Sequence, residues 1–179
     1  MCIVPFLPIV GWSDSPLPDH LQIDWESLSA NPDPRFTSFL EYWARLAAAK
    51  GACPGRADID PTSFDPKLFS NIFLVDLVRS DELPLRYRFR LLGQEIVECE
   101  RVHRGDYLDE IAESDSSTIE KHYEAAIEGR IFLRQSDLGW LRRDLDFQRY
   151  SVLVLPLADD GKTPTNLVGL CLYGGHAVD

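Results

Sequence analysis

Side chains able to act as acid, base, nucleophile or metal ligand are few and scattered in this 179-residue chain. Four histidines stand at His20, His103, His122 and His176, and four cysteines at Cys2, Cys53, Cys99 and Cys171. No Cys-x-x-Cys pair exists, and no histidine cluster completes a zinc set, so buried or idle thiols are expected. Asp58, Asp60 and Asp65 crowd into the proline-broken stretch from Pro54 to Pro66. Three carboxylates can hold a hard cation, but no histidine or further acid completes the set. Bonds to nearby turn amides are the expected use, and no metal is expected. The Asp109-Glu110 and Asp159-Asp160 pairs fall at a helix end and a turn, where solvated carboxylates are ordinary. Gly-x-Ser-x-Gly, a phosphate-cradling glycine loop, His-Glu-x-x-His and a dinucleotide fingerprint are all missing. The residues therefore point away from an enzyme. His122 is the one histidine at the edge of a helical apolar stripe, three residues after Ile119 and four before Ala126. A lone helical histidine is ordinarily a packing or surface residue.

The charge balance narrows the partners. Eighteen Lys and Arg against 29 Asp and Glu leave a formal charge of -11, which repels phosphate backbones and anionic membrane surfaces. Neither is an expected partner. Hydrophobic residues make up 45% of the chain, enough for one core, and no stretch approaches the roughly 20 apolar residues that span a bilayer. Met1 to Val10 is apolar but holds two prolines and no basic region, so it does not read as a secretory signal, and a cytoplasmic protein is expected.

The elements that must position these residues follow from periodicity. Prolines 5, 8, 16, 18, 32 and 34 mark residues 1–34 as an irregular arm, with Trp12 and Trp25 as anchors. Phe36, Phe39, Leu40, Trp43, Leu46 and Ala47 share one face of a helix running to Lys50, capped by Asp33, opened by Pro34 and stopped by Gly51. So large an aromatic face requires a partner surface, in this chain or in a second copy. Ile72–Val78 and Leu85–Leu92 read as a hairpin, the second strand alternating Tyr87, Phe89 and Leu91 against Arg86, Arg88 and Arg90. The arginines read as a solvated face and not a nucleic-acid stripe. Short helices are expected at Gln94–Glu98 and Tyr107–Ala112, separated by a polar connection from Glu100 to Asp106. A longer helix follows from a Ser117/Glu120 capping box to Gly129. Strands follow at 131–135, 147–157 and 167–173, with Asp160-Gly161 as the last hairpin turn. Val152 and Val154 face oppositely to Leu153 and Leu155, as required of a strand covered on both sides. The order predicts an α+β fold with a five-stranded antiparallel sheet, short helices on one face and an amphipathic N-terminal helix.

Specific runs also carry a resemblance. Tyr42-Trp43, the Pro54-Gly55-Arg56-Ala57-Asp58-Ile59-Asp60-Pro61 segment, Ile72-Phe73-Leu74-Val75-Asp76 and Tyr87-Arg88-Phe89-Arg90-Leu91-Leu92-Gly93 together resemble a family of bacterial PAS-like domains, once a domain of unknown function. The resemblance spans roughly Phe36 to Gly174, with Arg56, Asp58, Asp60, Pro61 and Gly93 as its motif residues. A division into arm 1–34, PAS-like domain 35–175 and tail 176–179 follows.

A PAS-like fold implies a curved sheet with helices enclosing a pocket, for which Tyr87, Phe89, Leu91, Tyr107, His122, Tyr123 and Val154 are the candidate ligand-binding residues. It also implies a helix that often dimerises the domain, which makes Phe36, Phe39, Leu40 and Trp43 the candidate interface. Haem-binding relatives take an iron ligand from the helix corresponding to that of His122, but no second haem feature accompanies it here. Flavin photosensors resemble one another around Asn-Cys-Arg-Phe, absent at Val97-Glu98-Cys99-Glu100-Arg101. The cofactor is left unknown, with neither haem nor flavin expected. The expected function is a stand-alone sensory or regulatory module acting through a small ligand, protein contacts or both. A signalling protein and a second copy of the chain are the expected partners, and a ligand-free dimeric adaptor or a small enzyme are the alternatives.

Overall fold

The computed structural model describes residues 17–174 except 32, 114 and 144–147, so the readings of Cys2, Trp12, His176 and the tail lie outside it. In chain order the elements are β1 (Gln22–Ile23), α1 (Trp25–Ser29), α2 (Pro34–Lys50), β2 (Ile72–Val78), β3 (Arg86–Leu92), α3 (Gln94–Glu100), α4 (Leu108–Ile111), α5 (Ser117–Ile127), β4 (Arg130–Ile131), β5 (Leu133–Asp137), β6 (Arg149–Leu157) and β7 (Asn166–Tyr173). Three 3-10 turns lie between α2 and β2 and one follows β5. The main sheet has the order β3-β2-β7-β6-β5, with every neighbouring pair antiparallel.

Alternation along the central strands sorts their side chains into two cores. Leu153, Leu155 and Leu157 of β6 and Val168, Leu170 and Leu172 of β7 pack on one side, in a cluster that contains the aromatic face of α2. Val152 and Val154 of β6 with Leu167 and Cys171 of β7 belong to the other, beneath α3, α4 and α5. The sheet is thus covered on both faces by its own chain.

That arrangement corrects the interface expectation. Phe36, Phe39, Leu40 and Trp43 are each 1% exposed, inside this chain's core, and offer a second copy nothing to hold. The helix is built as its sequence requires: Asp33 accepts from the Arg35 amide at 3.0 Å, Pro34 opens it, and Gly51 ends it at φ 65°. Two polar contacts fix its angle. Trp43 Nε1 donates to the Pro156 carbonyl at 2.9 Å, and the Tyr42 hydroxyl accepts from the Asp60 amide at 2.9 Å.

The described part of the arm is more regular than its prolines suggest. β1 pairs in parallel with β4, and α1 is capped by Asp24, which accepts from the Glu26 and Ser27 amides. Trp25 packs against the α2-side cluster. Elements of two and five residues are too short for a periodic signal. The α5 N-terminus also differs by one residue: Ser116 is its cap, and its hydroxyl donates to Glu120 at 2.6 Å, so the Ser117/Glu120 box is not formed.

Trp43→Ala is expected to lower stability by about 3–5 kcal/mol through the cavity left behind and the unpaired Pro156 carbonyl. Urea unfolding reads this directly, and a loss under about 1 kcal/mol would contradict the burial of this helix face.

Candidate functional site

Between the sheet and the α3–α5 helices lies a cavity of about 30 Å³, room for about two water-sized atoms. Its floor is Phe73 of β2, Phe89 of β3, Val152 of β6 and Cys171 of β7, and its roof is Glu100 of α3 with Ile119, His122 and Tyr123 of α5. Half-buried Leu92, Arg134 and Trp140 form the rim. The floor depends on Gly169: a Cβ there would stand 2.1 Å from Phe73 Cζ, so only glycine lets that ring lie against the sheet.

Glu100 is the unexpected member. It reads in the sequence as part of a solvated connection, yet it ends α3, is 8% exposed and accepts a hydrogen bond from the Tyr173 hydroxyl. Burial pushes its carboxyl up from 4.5 to about 7, with the Tyr173 bond opposing. Among the described residues its partners are the Tyr173 hydroxyl and, at 4.0 Å, the Cys171 thiol, and it enters no ion pair. The same desolvation raises the Tyr123 phenol and the Cys171 thiol well above their ordinary ranges, so both are neutral.

His122 is 2% exposed, with its ring 4.6 Å from that of Phe132. Its Nε2 lies 3.2 Å from the Phe132 carbonyl, which can only accept, so Nε2 carries the proton and Nδ1 is a bare acceptor. Nδ1 is buried without a hydrogen-bond partner. Burial lowers the imidazole from 6.5 to about 4, with the Phe132 bond opposing and Arg134 adding to the fall. Arg134 itself is engaged, donating to the Tyr150 hydroxyl and to Ser136 Oγ, both at 3.0 Å.

The structure divides the candidate pocket residues. Phe89, His122 and Tyr123 line the cavity, and Tyr87 is buried beside them, edge-on to Tyr123 at 5.1 Å. Val154 faces the same core at 0% exposure without reaching the cavity. Leu91 does not belong to the site: it is 50% exposed, because a bulge opposite Leu74 and Val75 shifts the pairing from Val75↔Phe89 to Leu74↔Leu91. The extra residue turns Leu91 outward and Leu92 inward. Tyr107 is also elsewhere, bridged to Arg88 at the β3 edge with the Arg86 guanidinium 3.9 Å from its ring centroid. The arginines of β3 are paired, Arg86 with Asp109 and Glu110, Arg88 and Arg90 with Asp76. Arg134, Trp140, Tyr150 and Cys171 were not legible as lining residues, since nothing local marks which side of a doubly covered sheet meets a void.

The motif residues are placed as scaffold. Asp58 accepts from the Gly55 amide and from Lys50 Nζ, both at 2.7 Å, and Asp60 accepts from the Thr62 amide at 2.9 Å. The Arg56 amide donates to Asp159 at 2.9 Å, Pro61 begins a 3-10 turn, and a Cβ at Gly93 would stand 2.3 Å from the Ser70 carbonyl oxygen. No group of three or more His, Cys, Asp or Glu among the described residues could hold a metal ion.

A five-stranded antiparallel sheet with short helices across a small internal cavity defines the α+β architecture of this domain. A family model described as "PAS domain" matches residues 33–172, and the chain belongs to that family. No curated protein matches. Among solved structures the chain is similar to the Rhodobacter sphaeroides LOV protein, at 14% identity and TM-score 0.45, over 63% of this chain and 65% of that one. It is also similar to a light-oxygen-voltage domain solved with a flavin analogue, at 14% identity and TM-score 0.42, over 60% of this chain and 78% of the other. Likeness at that level says nothing of this chain's ligand.

Glu100 and His122 contribute to stability with opposite pH dependence. The Glu100 proton favours folding fully below pH 4.5, and that contribution is lost as pH rises through about 7. The His122 contribution is present above pH 6.5 and is lost as pH falls through about 4. Glu100→Gln removes only the first. Relative to wild type, the variant is therefore expected to gain stability from pH 4.5 to about 7, by about 3 kcal/mol over the whole window. Urea unfolding across that range tests it, and a flat difference would contradict the buried carboxyl.

Proposed function

We propose that the chain is a sensory or regulatory PAS module that takes a small ligand between its sheet and the α3–α5 helices and passes the signal on through protein contact. The observation that carries this reading is the polarity of a small site: among the described residues, Glu100, a buried carboxylate in no ion pair, and His122, whose buried Nδ1 has no hydrogen-bond partner, line one cavity. A closed structural core has no use for such groups, because each unpaired buried polar atom costs about 1–3 kcal/mol. An enzymatic role finds less support. His122 is neutral and its donor is spent on a backbone carbonyl, and the Cys171 thiol that lines the same cavity is held protonated, so neither supplies an activated nucleophile. No helix among the described residues is long and apolar enough to cross a membrane, and a cytoplasmic setting is part of the proposal.

The cavity also bears on the cofactor. At about 30 Å³ it is an order of magnitude below a pocket for a drug-sized ligand, and His122 Nε2 is committed to Phe132. The described residues therefore fit neither a haem nor a flavin ring system in this conformation. Native mass spectrometry with an absorbance spectrum of the purified chain is expected to show a colourless protein that retains a small molecule or gains one from a metabolite mixture. A chain of unchanged mass under all such conditions would remove the ligand-binding half of the proposal.

Protein contact has its own observation. With the α2 face buried, the large apolar side chains left exposed among the described residues are Phe69, Leu83 and Leu91. Leu91 lies on β3, the edge strand of the sheet, and the Phe69 backbone approaches the same strand's end, where a Cβ on Gly93 would stand 2.6 Å from the Phe69 carbonyl oxygen. We assign the homodimer contact to this edge. Light scattering is expected to find a wild-type dimer and a Leu91→Asp monomer, and a monomeric wild type would end the assignment.

A further inference from the structure

We infer that the ligand group seated in the cavity is a primary ammonium, held by the Glu100 carboxylate and His122 Nδ1 with its substituent leaving past the rim. This rests on the ligand-binding reading above and gives it a chemical class.

The donors and acceptors decide the class. Among the lining residues, acceptor capacity is left on Glu100, whose described partners are the Tyr173 hydroxyl and, at 4.0 Å, the Cys171 thiol, both on one carboxylate oxygen, and on His122, whose Nδ1 has no hydrogen-bond partner. The one cation in the lining, Arg134, sits at the rim and already donates to Tyr150 and Ser136. A ligand rich in N–H donors satisfies both acceptors. An anion would meet a bare nitrogen lone pair and a carboxylate. Charge selects further, because a buried carboxylate attracts a cation and repels an anion more strongly than it would in water. The aromatic side chains of Phe73, Phe89 and Tyr123 line the same space, and aromatic surroundings suit a cation better than an anion. The chain's charge of -11 also draws cations towards it.

Size limits the class to a primary ammonium. A cavity of about 30 Å³ admits a nitrogen and one carbon, whereas a tetraalkylammonium exceeds it and has no N–H to give. A metal ion is disfavoured by the ligand count, since no three candidate ligands come together among the described residues. Water could also fill the space, and the experiment separates the two.

Binding carries a proton signature. Near its pKa of about 7, Glu100 is only partly ionised, and a seated ammonium drives off the remaining proton into the buffer. Isothermal titration of the full chain near pH 7 with methylammonium, in two buffers of different ionisation enthalpy and at constant ionic strength, measures both affinity and proton release. A two-atom ligand binds weakly, so concentrations up to about 0.1 M are used. Saturable 1:1 binding with net proton release is expected, with tetramethylammonium, methanol and acetate each at least tenfold weaker. Glu100→Gln is expected to weaken methylammonium at least tenfold and to abolish the proton release, and His122→Phe to weaken it several-fold.

Acetate binding in preference to methylammonium would overturn the inference in favour of an Arg134-directed anion site. Equal response to methylammonium and tetramethylammonium, or unchanged binding in Glu100→Gln, would reduce the effect to surface electrostatics and overturn it as well. Should Glu100→Gln fail to fold, the ranking of the four probes and the proton release on wild type decide alone. A retained molecule without an amine in native mass spectrometry defeats this inference and leaves the sensory module standing. Absence of binding by any probe, with no retained molecule, defeats both.

Discussion

The five-stranded sheet is apolar on both faces, and everything else in the fold answers to that. A strand such as β6, with Val152 and Val154 on one side and Leu153, Leu155 and Leu157 on the other, is stable only between two layers. α2 supplies one layer and the α3–α5 group the other. The two layers are not equivalent. The α2 layer joins the sheet through an aromatic surface and two hydrogen bonds to backbone, from Trp43 and to Tyr42. The opposite layer encloses a carboxylate, an imidazole and a small void.

That asymmetry separates scaffold from site. The motif segment from Gly55 to Pro61 ties the end of α2 to the β6–β7 turn through Asp58, Asp60 and Asp159, and does no chemistry in the cavity. Gly93 and Gly169 act in a similar way, each where a side chain would displace a neighbour: backbone at Ser70 for one and the Phe73 ring for the other. The polar site then sits on positions that these constraints hold still.

Much of the scaffold was legible because it is written in period and punctuation. The helix of Phe36 to Lys50, its Asp33, Pro34 and Gly51 boundaries, the β2–β3 hairpin and the last two strands all stand where spacing places them. The site was legible only in part, for two physical reasons. A charged residue such as Glu100 reads as solvated unless tertiary packing buries it, and nothing near it in sequence announces that packing. A bulge at Arg90 changes the facing of Leu91 and Leu92 without altering the residue alternation that suggests a strand. The face of α2 was recognised, but periodicity cannot tell a partner in the same chain from one in another.

The fastening of Tyr42 and Trp43 has a mechanical consequence. With hydroxyl and indole both anchored on backbone, the α2 side is the stiff wall of the molecule, and the void lies behind the other wall. β3 borders that void through Phe89, whose backbone also exchanges hydrogen bonds with the 105–106 loop. The strand that borders the void and the strand that carries the exposed Leu91 are then one and the same.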